Sequence, residues 1–445
     1  MHALSSPKKT ERFHWRGISI FWLGIREYFW EATDPAVVPL PHLLGSWLTQ
    51  LERSGCGPVK PMSVLGKFKF ENFPESGLIL MIVVLGVFLS IFGGSVETPK
   101  FETGPDGKQY RSMVTDANGQ QVPAFETANK FFNPRTLVQI AKDTSFFAIM
   151  AVGVTFPLIT AGTDLSIGSI YALASVSGAL VLSPYGPTGG GVATVLGVLT
   201  TMGVGALLGF VNGAMIAVFQ VHPFIVTLGT MAIYRGIAFV QTSGQSITGF
   251  PLAFRRFVRW EILPDLSLVP LIVMLLVTVL GWILLAKTTF GRRIYAIGGN
   301  ENASRFSGIR VGWVKVTAYT LTGLSAGIAA VLSLGYYGAG SSGDGLGYEL
   351  NAIAASVVGG TSIAGGRGTA LGAMLGAIIL QMFANGLVIL NVPQNYNQIV
   401  IGAIVILAVV LDQLNTWIGQ RRLVAKTAKK VAAPASDTPA FSTPK

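Results

Sequence analysis

The chain has 445 residues, 51% hydrophobic and 12% charged, with a net charge of +11 and a mean hydropathy of +0.56; a soluble domain carries about 25% charged residues, so an ordinary soluble fold is excluded. One cysteine, Cys56, excludes an intramolecular disulfide framework, and no Cys/His pair has metal-ligand spacing, so no metal, cofactor or redox chemistry is expected. The basic residues gather between apolar segments and near the end of the chain, which fits orientation in a lipid bilayer better than nucleic-acid binding.

Residues 1–75 are polar and aromatic, carry both charge signs and lack the apolar core and cleavage site of a signal peptide; a cytoplasmic N-terminal extension is expected. A spanning helix needs about 20 mostly apolar residues. The intervals free of Asp, Glu, Lys and Arg, divided at Pro184–Gly191, at Val221-His222-Pro223 and at Pro393–Gln398, give about ten helices: 78–96, 137–161, 166–183, 192–219, 223–241, 267–286, 313–338, 350–365, 367–390 and 397–412. The fold class is therefore an all-α integral membrane protein with its transmembrane domain over 76–415. The 97–135 segment, with five acids and five bases and no apolar periodicity, is expected outside as a loose loop or small irregular insert. An even count returns the C-terminus to the cytoplasm and turns the 287–312 loop inward, and its Lys287, Arg292, Arg293, Arg305, Arg310 and Lys315 agree. The tail, 416–445, is expected cytoplasmic and disordered from its Ala, Pro, Ser and Thr content.

The segment beginning Asn212-Gly213 aligns without a gap with the one beginning Asn385-Gly386, placing Gly229 and Ile233 opposite Gly402 and Ile406. Both copies end one helix and start the next while crossing in opposite directions, as in an inverted repeat. The spacings Gly205–Gly209 and Gly372–Gly376 let helix backbones approach closely in lipid. Gly338–Gly343 matches a dinucleotide fingerprint only on paper, because it follows a membrane helix rather than a strand. Gly360–Thr369 is no phosphate loop, because Arg367 and Gly368 stand where Lys and Ser/Thr are required.

Polar residues at membrane depth are costly. Asp164, between two apolar spans, either lines a polar pathway or caps the next helix. Arg235 and Glu349 are expected near the external ends of their helices, with snorkelling as the default reading, and His222 is expected to be a turn residue. The basic Thr288–Gly312 loop is longer than a reversal needs, and Asn300–Phe306 reads as a small helix bounded by Gly298-Gly299 and Gly308, a docking surface for a cytoplasmic partner.

Ala151–Thr155, Asp164–Gly168, Asn212-Gly213, Phe224–Gly229, Tyr234-Arg235-Gly236, Gly291–Asn300, Ser307–Ile309, Tyr348-Glu349-Leu350, Gly359–Ser362 and Gly365–Gly368 resemble the permease subunit of bacterial ABC importers for ribose, xylose, galactose and similar sugars, in order from about 131 to 412. The resemblance implies an inner-membrane permease that is not itself an enzyme, works as a dimer, docks an ATP-binding-cassette ATPase and receives a sugar or polyol from a periplasmic binding protein. Carried over, Gly298, Gly299, Asn300, Glu301, Ala303, Arg305, Ser307 and Gly308 would be the ATPase-coupling segment. Asp164, Ser166, Asn212, Glu349 and Thr361 would be candidates for the pathway or its helix breaks. Thr163 in place of the usual Ile, Pro157 within the second span and the charged Lys142-Asp143 depart from the family pattern. The alternatives are a self-contained transporter or channel, which would show acid or histidine relays in its spans, and a membrane enzyme, which would need an acid/base or metal constellation at one face.

Overall fold

A computed structural model describes residues 75–103, 109–116, 119–263, 266–404, 406–407 and 409–410. The expected 1–75 extension, apart from Glu75, and the 416–445 tail lie outside the described residues. Twelve helices carry the fold: α1 (Ser76–Phe92), α2 (Pro134–Ile159), α3 (Ile167–Leu182), α4 (Gly191–Phe219), α5 (Pro223–Thr242), α6 (Leu252–Val258), α7 (Val269–Lys287), α8 (Thr289–Gly299), α9 (Glu301–Phe306), α10 (Val311–Tyr337), α11 (Tyr348–Val358) and α12 (Ala370–Ile389). A further helical stretch begins at residue 397. Seven of these, α2 to α5, α7, α10 and α12, are long and apolar enough to cross a membrane, and α1 is a shorter apolar helix.

Their ends follow local chemistry. Asn133 accepts a hydrogen bond from Arg135 N ahead of Pro134, the first residue of α2. Thr369 accepts from Gly372 N at the start of α12, and His222, as expected of a turn residue, accepts from Phe224 N ahead of Pro223. Gly338, at φ +71°, ends α10 in the left-handed conformation that a glycine adopts without steric cost.

The core is built from α2, α3, α10 and α12, and α4, α5 and α7 leave much of their apolar surface outward. Glycines set the closest approach. A Cβ on Gly205 of α4 would lie 2.8 Å from the Gly327 Cα of α10, and one on Gly209 would lie 2.9 Å from the Gly323 Cα, so these backbones touch directly. In the second half, a Cβ on Gly376 of α12 would lie 2.8 Å from Gly359 N, at the end of α11. Helix α10 lies on α4 and also on α2, α2 lies on α12, and α3 pairs with α4 as α11 pairs with α12.

The 97–135 segment, expected as a loose loop or a small irregular insert, forms antiparallel ribbons over its described residues. Strands β1 (Ser95–Pro99) and β6 (Phe125–Asn129) pair antiparallel, as do β2 (Phe101–Thr103) with β3 (Gln109–Arg111) and β4 (Met113–Thr115) with β5 (Gln121–Pro123). The three ribbons join in a closed ring of backbone bonds: Lys100 N donates to Ala124 O, Ala124 N to Ser112 O and Ser112 N to Lys100 O. Asn129 fastens this unit to α1 by donating from Nδ2 to the Ser90 carbonyl at 2.7 Å.

Candidate functional site

At the end of α2 the chain reverses within the bundle. The Pro157 carbonyl collects Thr160 N, Gly162 N and the Thr160 hydroxyl, Ala161 takes a positive φ of 59°, and α3 starts at Ile167. Asp164, fully buried, accepts at Oδ1 from Ser166 N (2.9 Å) and the Ser166 hydroxyl (2.6 Å). Asn212 of α4 donates from Nδ2 to Ser166 Oγ at 2.7 Å, and the Tyr234 hydroxyl of α5 donates to Asn212 Oδ1 at 3.0 Å. A continuous hydrogen-bonded chain thus runs from α5 through α4 to the break before α3. It unites three of the residues read from the sequence with Tyr234, which that reading had not singled out as a site residue. Asp164 braces the turn ahead of α3, and its Oδ2 is buried without a hydrogen-bond partner. The position of Thr163 matters through its carbonyl, which accepts from the Tyr319 and Thr227 hydroxyls.

A second break precedes α11. After Gly338 the chain runs without helix through 347 and turns back along α3. A Cβ on Gly340 would lie 2.8 Å from Ala179 Cβ, and one on Gly345 would lie 2.8 Å from the Gly168 carbonyl. Irregular backbone at this depth persists only where protein groups satisfy it. Arg235 donates to the carbonyls of Ser342 and Asp344, and Asp344 Oδ2 accepts from Ser341 N at 3.0 Å and the Ser175 hydroxyl at 3.1 Å.

Helix α11 starts with Tyr348, whose ring lies 4.4 Å from that of Phe147, halfway along the 26-residue α2. The expected 350–365 span is therefore corrected to an 11-residue half-helix, Tyr348–Val358. Glu349 and Arg235 are corrected with it: neither snorkels from an external helix end. Arg235 holds the re-entrant backbone, and Glu349, in the first turn of α11, packs against Gly168 at the start of α3 with Oε2 buried and without a partner. The two breaks thus meet between Gly168, Gly345 and Glu349.

The coupling segment read from the sequence forms two short helices. Asn300 Oδ1 accepts from Ala303 N (2.9 Å), the Ser307 hydroxyl donates to Ala303 O, and Gly308 takes φ +79°. Gly298 and Gly299 end α8 (Thr289–Gly299) in helical conformation, and the chain leaves the helix at Asn300, at φ −160°. Gly298 is also a contact residue, since a Cβ there would collide with the Ile159 carbonyl of α2 and with Gly366 N. Gly366 N itself donates to Ile159 O at 2.8 Å, and the Tyr295 hydroxyl of α8 donates to Gly368 O at 2.7 Å. Thr361, buried beside Gly368 with an unpartnered hydroxyl, belongs to this face rather than to the Asp164 chain.

Glu301 binds Lys315 at 2.8 Å and Arg305 at 3.2 Å. Partial burial raises its pKa, but the hydrogen bond and charge of Lys315, then those of Arg305, outweigh this and hold it below the ordinary value of 4.5. A groove of 560 Å³ opens here between the α4–α5 turn at His222 and the charged surface of Glu301, Arg305, Arg310 and Lys315.

A helical bundle with two helix breaks meeting inside it, and a basic pair of short helices packed against the end of one broken segment, defines a membrane transport permease. Residues 136–409 match the model of the family described as branched-chain amino acid transport system / permease component, and the chain belongs to that family. It is similar to the ribose import permease protein RbsC of Escherichia coli (strain K12), with 40% identity over 292 residues, 65% of this chain and 87% of the relative. RbsC of Bacillus subtilis (strain 168) is 40% identical over 64% of this chain and 86% of its own length. The D-allose transport system permease protein AlsC of Escherichia coli (strain K12) is 37% identical over 64% and 85%. No solved structure matches the chain. Permeases of ABC importers work with ATPase and binding-protein partners, and this chain is such a permease.

Proposed function

We propose that this chain, as a multi-pass protein of the bacterial inner membrane with both termini in the cytoplasm, forms with a second permease copy the pathway for a monosaccharide or similar polyol. A periplasmic binding protein delivers the solute, and a separate ATPase docks on α8, α9 and the groove beside them. The observation that carries this reading is the direct contact of Gly298 with the end of α2: motion imposed on α8–α9 reaches the α2–α3 break, where Asp164, Ser166 and Asn212 place polar groups inside an otherwise apolar bundle. The relatives named for ribose and D-allose support a sugar as the solute, and hydroxyl and amide groups such as those of Ser166 and Asn212 suit a neutral polyol.

The test is reconstitution in liposomes with a partner ATP-binding-cassette ATPase and a periplasmic sugar-binding protein. Uptake of ribose or allose should require both partners and ATP. Accumulation of sugar against its gradient by the chain alone would replace this reading with a self-contained transporter.

A further inference from the structure

Helix α6 lies between the end of α5 at Thr242 and the start of α7 at Val269, so it sits where two spanning helices leave the apolar layer. Phe254 and Val258 bury one face completely, with Val258 against Gly335 of α10. The other face carries Arg255, Arg256 and Arg259, which with Leu252 and Trp260 line an open cleft of 410 Å³. Arg259 lies four residues from Arg255 and three from Arg256, spacings at which like charges on a helix repel, and no carboxylate among the described residues pairs with any of the three. Arg259 is held in place, donating from Nε to the Tyr336 carbonyl at 2.7 Å with its guanidinium 5.1 Å from the Tyr336 ring centroid. Arg255 lies over Gly338, its Nε buried and without an acceptor. Arg256 is exposed.

Among the described residues this arrangement has no anionic partner, and the surface around it says which kind suits it. Leu252 and Trp260, which line the cleft, are 48% and 67% exposed, and the neighbouring Phe257 on the same helix is 58% exposed, a surface too apolar for a site meant for a free ion in water but suited to the membrane interface, where Trp and Arg are favoured. Planar guanidinium groups match the oxygens of a phosphate in pairs. We propose that the α6 cleft binds the phosphate of an anionic phospholipid from the surrounding leaflet, with Arg255 and Arg256 contacting the phosphate and Phe257 and Trp260 lying against the lipid's glycerol and upper acyl region. The lipid would hold α6 on the Gly335–Gly338 end of α10 and so bear on the re-entrant loop that follows.

The test is native mass spectrometry of the full-length purified protein titrated with phosphatidylglycerol and, separately, with phosphatidylcholine. Wild type should retain the anionic lipid at about tenfold lower concentration. Arg256→Gln should lose most of that preference and Arg255→Gln/Arg256→Gln all of it; because Arg256 is exposed, the single variant reports on binding even if the double variant is unstable. Equal retention of the two lipids by wild type, or unchanged preference in Arg256→Gln, would overturn the proposal. So would displacement of the lipid by millimolar inorganic phosphate, which would mark a free-anion site, or a loss of sugar-binding-protein affinity in variants that keep the lipid, which would mark a protein-docking site.

Discussion

Each break has a carboxylate that accepts from a backbone amide and a hydroxyl: Asp164 from Ser166 ahead of α3, and Asp344 from Ser341 N and the Ser175 hydroxyl ahead of α11. Beyond that the first is extended by neutral side chains, Ser166, Asn212 and Tyr234, and the second by the Arg235 guanidinium on two backbone carbonyls. Hydrogen bonds between neutral groups contribute about 0.5–1.5 kcal/mol net, those to charged groups about 1.5–3. The guanidinium makes the second break the more firmly held of the two. The first is the one that touches the α8–α9 face, through Ile159 and Gly298. Under the proposed function, the two breaks meeting at Gly168, Gly345 and Glu349 would act as a gate driven from the side of the more loosely held one.

The largest expected effect breaks the more firmly held side. Arg235→Ala leaves the Ser342 and Asp344 carbonyls without their donor, and the purified protein should lose about 2–3 kcal/mol of stability in denaturant titration. Arg235→Lys should restore less than half, because a point charge cannot reproduce the guanidinium fork. An alanine variant as stable as wild type would show that the loop is held by something else.

On the more loosely held side, Asn212→Leu should cost about 1–2 kcal/mol and Tyr234→Phe less than about 1 kcal/mol. Their double variant should fall short of the sum by about 0.5 kcal/mol, since both act on one chain of bonds. Strict additivity would separate Tyr234 from the network.

The smallest effect concerns Glu301, whose side chain is 37% exposed, so solvent screening limits its ion pairs to less than about 1 kcal/mol. Its folded pKa is lowered, so this stability is fully present at neutral pH and is lost as the pH falls below 4.5 and through the lowered value. Wild type and Glu301→Gln should differ at neutral pH and converge in acid, and a difference independent of pH would assign the effect to packing.

Much of this was legible in the sequence. Charge-free intervals located the spanning helices because lipid tolerates few charges within a span, and Asp164 stood out as a polar residue between two apolar runs, whereas Ser166 and Asn212 became site candidates through the family resemblance. The half-helix α11 was not legible, because a charge-free interval records apolar length and cannot distinguish eleven helical residues followed by a glycine-rich loop from a full span. Arg235 and Asp344 were misjudged or passed over because their partners are more than a hundred positions apart in the chain. The ribbon insert did leave a signal: Phe101-Glu102-Thr103, Met113-Val114-Thr115 and Phe125-Glu126-Thr127 recur every twelve residues, a period that a search for helical or alternating apolar patterns does not sample.

The most direct test of a gate driven through α8 compares two adjacent glycines. A Cβ at Gly298 collides with Ile159 O, and one at Gly299 meets nothing within 4 Å. In the reconstituted importer, sugar molecules taken up per ATP hydrolysed should be unchanged in Gly299→Ala and should fall severalfold in Gly298→Ala, with ATPase binding retained in both. Equal coupling in the two variants would contradict the account, because it would mean that the contact between α8 and the end of α2 carries no motion.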